Sequence, residues 1–477
     1  MTDRFAGSAS LPQVDGARPT PGALTSAPPR AWQPVLDGVE RAEALAAVAE
    51  IANALAERPH DEVSLAGGSA GRAVLHARLA DDDADQRDAA LTCLRHAVPS
   101  LRTRGGPSSL HVGAAGIGWV LAHLRGSLLD ARDRCAGLDR ALLRLLDRQP
   151  WTGHVDLMRG LVGIGVYALE RLDAPDGPRL LEKVVIRLAE LAVRDGDDVY
   201  WWTPPEHLPH SARERSPQGH VDLGVAHGVP GEIALLGAAC AAGVATGVAR
   251  PLLDGAVRWL VQDGSAGEIL PSWWTPDQEP TPARTAWCYG EPGVAAALLV
   301  AAHAAAEQTW EDAALQLARR AASRSVEDSR VVDAGLCHGA AGLGLVFARL
   351  HQLTGEQQLL DAARFWFRHV LDLRVPDTGV TGYTAADVDG LFSDPSLLTG
   401  ATGIALALHA AATDREPTWD RILLLSTAAK PAAPPATLDT SPWPGSQTHD
   451  RRDTTMTASV SDDPRGGRDE RSRTRPG

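Results

Sequence analysis

Residues 337–350 read CHGAAGLGLVFARL, and the stretch falls into two unlike halves. Cys337 and His338 are soft, reactive side chains of the kind that bind metals. Gly339 to Gly342 form a Gly-x-x-Gly unit, whose small residues let backbone approach backbone. That unit recurs seven times, as GSAG (68–71), GAAG (113–116), GLVG (160–163), GVPG (228–231), GEPG (290–293), GAAG (339–342) and GATG (400–403). Successive first glycines lie 45 to 68 residues apart. Most copies open an apolar stretch, such as IGWVLAHL, IGVYALERL, VAAALLVAA or IALALHAA. Amphipathic segments such as RLLEKVVIRLAELAV and EDAALQLARRAASRSV lie between them.

A repeat of this period signals a stacked helical array. Each copy predicts a loop, a glycine-initiated apolar helix, and a helix that buries one face and wets the other. An open solenoid needs polar capping repeats at its ends. Here the first and last repeats look like the rest, which favours closure. The expected fold is all-α: an α/α toroid of seven helical hairpins, with seven inner and seven outer helices. The N–H groups in the first turn of each inner helix are expected to be free to face a site. Two longer loops, DDVYWWTPPEHLPHSARERSPQGH and LPSWWTPDQEPTPARTAW, carry paired tryptophans suited to lining a cleft.

Composition narrows the function. The chain has 477 residues, 44% of them hydrophobic and only 5% aromatic, and a formal net charge of −14. An acidic surface argues against nucleic acid as a partner. Five cysteines make no disulfide framework and suggest a reducing compartment. The N-terminus lacks the apolar core of a signal peptide. The most apolar windows, 233–249 and 294–306, read as buried helices and not as membrane spans. A soluble cytoplasmic protein is expected. Residues 1–36 read as a flexible arm, 37–425 as the helical domain, and 426–477 as a disordered Pro-rich and charged tail.

Aligning the repeats on their first glycine shows where chemistry gathers. The residue two before it is Ala66, His111, Met158, Ala226, Cys288, Cys337 or Leu398; the residue one before it is Gly67, Val112, Arg159, His227, Tyr289, His338 or Thr399. Cys288 and Cys337 thus share a register in neighbouring repeats, with His338 beside the second. Two sulfurs and an imidazole suit zinc with an open fourth position. A buried cysteine can also pack as a small hydrophobe, which is the reading for Cys93, Cys135 and Cys240; the matched pair with its histidine favours ligation. His227 is a candidate acid/base, against the alternative of a helix-start hydrogen bonder. Tyr289 offers a phenol donor or plain packing. Arg284, four before Cys288, and Asp156, four before Gly160, are either site residues or ordinary surface charges and loop caps.

At AHGVPG, RTAWCYGEPG, LCHGAAGLG and LLTGATGIALAL, across about residues 40–425, the sequence resembles the lanthionine synthetase C-like family. The resemblance implies an α/α toroid with a zinc ion at one end, held by Cys288, Cys337 and His338. It implies that His227 is the catalytic histidine, that Tyr289 and Arg284 are further active-site residues, and that Asp156 is the family's aspartate within a shorter motif. The implied enzyme is a lanthipeptide cyclase. A substrate cysteine thiol adds to dehydroalanine or dehydrobutyrine, and the resulting enolate takes a proton from His227, with Arg284 or Tyr289 stabilising its oxygen. The implied partners are a dehydrated precursor peptide and a dehydratase. Other readings are glutathione addition to dehydroamino acids in proteins, and a non-catalytic zinc-stabilised peptide-binding scaffold. A glycosidase toroid would need paired carboxylates, and none stands at the equivalent loop positions.

Overall fold

The computed structural model describes residues 31–59, 61–81, 83–102, 106–264, 270–276 and 281–426. The chain is mostly helical. In order, its helices are α1 (Gly38–Ala56), α2 (Ser69–Leu79), α3 (Ala84–Ala97), α4 (Ala114–His123), α5 (Ala136–Leu146), α6 (Leu161–Glu170), α7 (Gly177–Leu191), α8 (His210–Arg215), α9 (Val229–Ala241), α10 (Thr246–Trp259), α11 (Glu291–Ala305), α12 (Gln308–Ala322), α13 (Val326–Ser329), α14 (Ala340–Thr354), α15 (Gln357–Asp372) and α16 (Ala401–Ala412). Three antiparallel ribbons decorate the loops: β1 (Val193–Asp195) with β2 (Asp198–Tyr200), β3 (Val221–Asp222) with β4 (Trp273–Trp274), and β5 (Ala385–Asp387) with β6 (Gly390–Phe392).

Each Gly-x-x-Gly unit starts a buried helix. α16 is buried along its whole length, whereas α12 buries only Ala314, Leu317, Ala318 and Ala321, one stripe at helical spacing. The buried helices contact one another in sequence: α2 with α4, α4 with α6, α6 with α9, α9 with α11, α11 with α14, and α14 with α16. α16 then returns to α2. The window 294–306 falls in α11, but 233–249, expected as one buried helix, is broken by an exposed turn after α9 and runs into α10; among the described residues no helix is long and apolar enough to cross a membrane.

The glycines are needed because the preceding loop folds back over the helix start. A Cβ on Gly342 would overlap the Leu336 carbonyl oxygen, six residues upstream, and the same relation holds at the second glycine of the other six repeats. This fold-back overturns one expectation. In repeats one, two, three, six and seven the first-turn N–H groups do not face a site; their own loop takes them. Ala340 N–H donates to Asp333 O at 3.0 Å and Ala341 N–H to Ala334 O at 3.3 Å. Ala114, Leu161 and Ala401 N–H likewise bond Pro107, His154 and Asp394 O.

The seam of the ring differs from the simple repeat. Among the described residues no amphipathic helix follows α16; its outer partner is α1, from the start of the described chain. α1 presents Ala44, Ala47, Val48, Ile51, Ala52 and Leu55 as its buried stripe. Residues 31–36 were expected to belong to a flexible arm, but they are packed. Trp32 is buried and its Nε1–H donates to Ala410 O at 2.9 Å, while Val35 and Leu36 N–H bond Ala411 O. Burying side chains the size of Val35 and Leu36 stabilises by about 1.5–3 kcal/mol each, enough to fix six residues that composition alone marks as loose. The rest of the arm, and the tail from 427, lie outside the described residues.

After α16 the chain turns inward. The short helix Thr418–Leu423 buries Trp419, Ile422 and Leu423. It is held from several repeats: His111 Nε2 to Ile422 O at 3.2 Å, Trp287 Nε1–H to Leu423 O at 2.9 Å, and Arg349 to Asp420 at 2.7 Å. Arg349 is 4% exposed and also lies 4.8 Å above the Trp32 ring, so one guanidinium ties both ends of the described chain to α14.

Candidate active site and metal centre

The loops before the buried helices are stitched by backbone hydrogen bonds at one register, two residues before the first glycine. Ala226 N–H donates to Cys288 O (3.5 Å), Cys288 N–H to Cys337 O (3.2 Å), Cys337 N–H to Leu398 O (2.7 Å), Leu398 N–H to Ala66 O (3.3 Å), and Ala66 N–H to His111 O (2.8 Å). The belt brings the sequence-matched residues together. Cys288 and Cys337 are direct backbone partners, so their side chains leave adjacent points of the same rim.

The sulfurs of Cys288 and Cys337 and a ring nitrogen of His338 all lie within 4.8 Å of one another. Among the described residues they are the one such group of three metal-type side chains. Ligands about 2.3 Å from a tetrahedral zinc stand about 3.8 Å apart, so the set fits that ion and leaves one position open. The protonation pattern agrees. The Cys337 thiol donates to Cys288, which, with His338 and Arg284 beside it, holds Cys288 as a thiolate far below the ordinary thiol range despite burial. The proton stays with Cys337, whose own pKa is raised by that same bond. By contrast, burial pushes the thiols of Cys93 and Cys135 up to about 11. They are the inert packing cysteines expected.

A cleft of about 350 Å³ lies beside this group. His227, Asp156, Tyr289 and Arg284 all line it; the three metal-type residues are not themselves in its lining, and Cys288 directly precedes Tyr289. The loop tryptophans Trp201, Trp202 and Trp273 form its walls, where β3 pairs with β4. Trp274 instead packs against Tyr200 and Trp259.

His227 Nδ1 is 2.8 Å from Asp156 Oδ2. The imidazole side chain is 39% exposed and opens on the cleft, while the carboxylate is 10% exposed. Burial alone would lower the His227 pKa, but the hydrogen bond and charge of Asp156 outweigh it and the value is raised above 6.5. For Asp156, burial pushes up and the His227 bond pulls down further, leaving it below 3.8. Asp156 also accepts from Arg159 N–H at 2.6 Å, which fixes its aim.

Tyr289 has a different partner from the one its position suggested. Its hydroxyl donates to Asp222 Oδ2 at 2.9 Å, so its proton is committed away from a substrate oxygen. Arg284 is exposed at the cleft edge. The sequence reading missed three residues that line this cleft, Asp222, His220 and Glu232. His220 is buried, stacks on Trp273, and lies 3.6 Å from Asp222. No register argument singles out Asp222, since Asp333 and Asp394 occupy the same position elsewhere. Glu232 had a signal, taken up below.

The fold is similar to that of nisin cyclase, with a TM-score of 0.65 at 21% identity, over 81% of this chain and 97% of that one. The family model described as lanthionine synthetase C-like protein matches residues 59–424. With three quarters of its length inside that match, the chain belongs to the lanthionine synthetase C-like family.

Proposed function

We propose that the chain is an α/α toroid acting as a zinc-dependent lanthipeptide cyclase, which closes thioether rings in a dehydrated precursor peptide supplied by a dehydratase. One observation carries the reading: two adjacent thiols and an imidazole stand next to Tyr289 and Arg284, which line the cleft onto which a His–Asp pair opens. Cys288, Cys337 and His338 would hold zinc, which when bound supplies an open position for a substrate thiol and keeps that sulfur deprotonated at neutral pH.

The chain's own residues do the rest. Asp156 engages Nδ1 of His227 and leaves Nε2 to deliver a proton to the α-carbon as the new C–S bond forms. The raised pKa keeps that proton available at neutral pH. With the Tyr289 proton held by Asp222, the enolate oxygen falls to Arg284, a permanent cation at the cleft edge. Tyr289 is then an orienting wall, its ring 6.1 Å from that of His227. The tryptophan walls give a peptide an apolar surface and restrict water around the enolate.

The decisive variant is His227→Ala. It should keep about one zinc per chain and lose cyclisation of a dehydrated, cysteine-containing peptide. Unchanged turnover would remove His227 from the mechanism and with it this reading of the site.

A further inference from the structure

The repeats are an internal reference for each position. Four residues after the first glycine, five buried helices carry an aliphatic side chain: Ile117, Ile164, Val294, Leu343 and Ile404. The first repeat has Arg72, whose guanidinium escapes to the carbonyls of Arg58 and Pro59 at 3.2 and 2.9 Å. The fourth repeat has Glu232, and this side chain does not escape. It is 1% exposed, and its Oε2 has no hydrogen-bond partner among the described residues. It forms part of the cleft lining together with His227, Asp156 and Asp222.

A carboxyl placed where packing calls for isoleucine, and left partly unpaired, breaks the local rule of the fold; such breaks mark function. Three groups from different elements face it: Asp156 from the loop before α6, Asp222 from β3, and His227 from the loop before α9. Burial, reinforced by the two carboxylates, pushes its pKa up to about 8, so at neutral pH it is an acid that still carries its proton.

We infer that Glu232 is the proton store of this site. It is a neutral carboxylic acid that hands its proton to His227 after His227 has protonated the substrate. It becomes a carboxylate in doing so, and the proton released by the next substrate thiol reloads it. The inference rests on the cyclase reading, in which each turnover breaks one S–H bond and forms one Cα–H bond. His227 loses an N–H and regains it from the O–H of Glu232, so no proton is gained or lost over the cycle. Glu232 is a positioning residue, acting through His227 and not on the substrate.

Two variants of the full chain test this. Glu232→Gln preserves the shape of the neutral acid but cannot release a proton. It should keep its metal and a KM within about twofold, while kcat falls at least about tenfold. Wild-type kcat should carry, besides the alkaline limb of His227 itself, a limb at about 8 from Glu232, and the variant should keep only the His227 limb. An unchanged kcat with the same alkaline limbs overturns the inference. Glu232→Ile restores the residue of the sister repeats and should raise the melting temperature; a lower one would make Glu232 a structural anchor and overturn it too. Infrared spectroscopy reads the proton without any assay: wild-type protein at pH 7 should show a protonated carboxyl band that Glu232→Gln lacks. If the wild type forms no rings, the cyclase reading falls. The missing band would then still overturn Glu232 as a held proton, and its presence with a stabilised Glu232→Ile would sustain it.

Discussion

The same loop is built seven times, and two arcs of the ring fill it differently. In repeats seven, one and two, the residue before the first glycine is Thr399, Gly67 or Val112; in repeats four to six it is His227, Tyr289 or His338. Four before the glycine, Ser396, Ser64 and Ser109 hold the register that Asp156 holds in repeat three. Six before it, Asp333 and Asp394 close their loops by accepting from Gly335 and Ser396 N–H at 3.0 and 2.8 Å, while repeat five has Arg284. The backbone path is held by glycines and main-chain hydrogen bonds in both arcs. The rest of the rim's side chains are therefore left open to vary, and one arc carries the metal-type group and the His–Asp pair.

Substitutions at matched positions break this comparison where it is weakest. The largest contrast is at the register of the cysteines. Cys337→Ala should drop the metal content from about one per chain to none and abolish cyclisation. Leu398→Ala, its neighbour in the belt, should lose stability by about 2–5 kcal/mol and keep its metal. Metal analysis of both proteins reads the difference, and equal retention would dissolve the distinction between the arcs.

The next contrast is at the acidic position. Asp156→Asn should reduce kcat by about 10²–10⁴-fold with the metal in place. It should also lower the His227 pKa, because the burial that pushes it down remains when the carboxylate is gone. Site-specific NMR titration of His227 checks the direction. Ser109→Ala, at the same register in the other arc, should leave both quantities unchanged.

The seam offers a stability contrast of its own. Arg349→Met leaves Asp420 buried without its counter-ion and should cost about 3–5 kcal/mol, measured by denaturant unfolding. The smallest effect is a pH dependence. Asp156 titrates below its ordinary value and His227 above its own, so their pairing stabilises the fold between those two values. It is lost as the pH falls through the depressed Asp156 value and as it rises through the elevated His227 value. The melting-temperature difference between wild type and Asp156→Asn should therefore peak between them and shrink on both sides.

How far the sequence could be read follows from the same division. The repeat, the buried helices and the shared register of Cys288 and Cys337 were legible because a glycine marks each copy and the belt turns register into contact. The partner of α16 was not legible, since α1 carries no Gly-x-x-Gly and is separated from it by most of the chain. Residues 31–36 look loose by composition, yet Trp32, Val35 and Leu36 find an apolar seat that only the closed ring provides. The inward turn at Thr418–Leu423 is too short to show a helical period. At the site, Tyr289 was legible but its hydrogen bond was not, because Asp222 shares its position with residues that merely cap loops. Glu232 was within reach, as the one acid at a register otherwise aliphatic or, in repeat one, arginine.

The central claim is that the cleft closes rings within one peptide. It is tested most directly by incubating the zinc-loaded protein, with glutathione present, with a dehydrated peptide that contains one cysteine, alkylating the remaining thiols, and weighing the product. The account predicts a product that resists alkylation and has the mass of the starting peptide. A peptide that stays fully alkylatable, or one that gains the mass of glutathione, would contradict it.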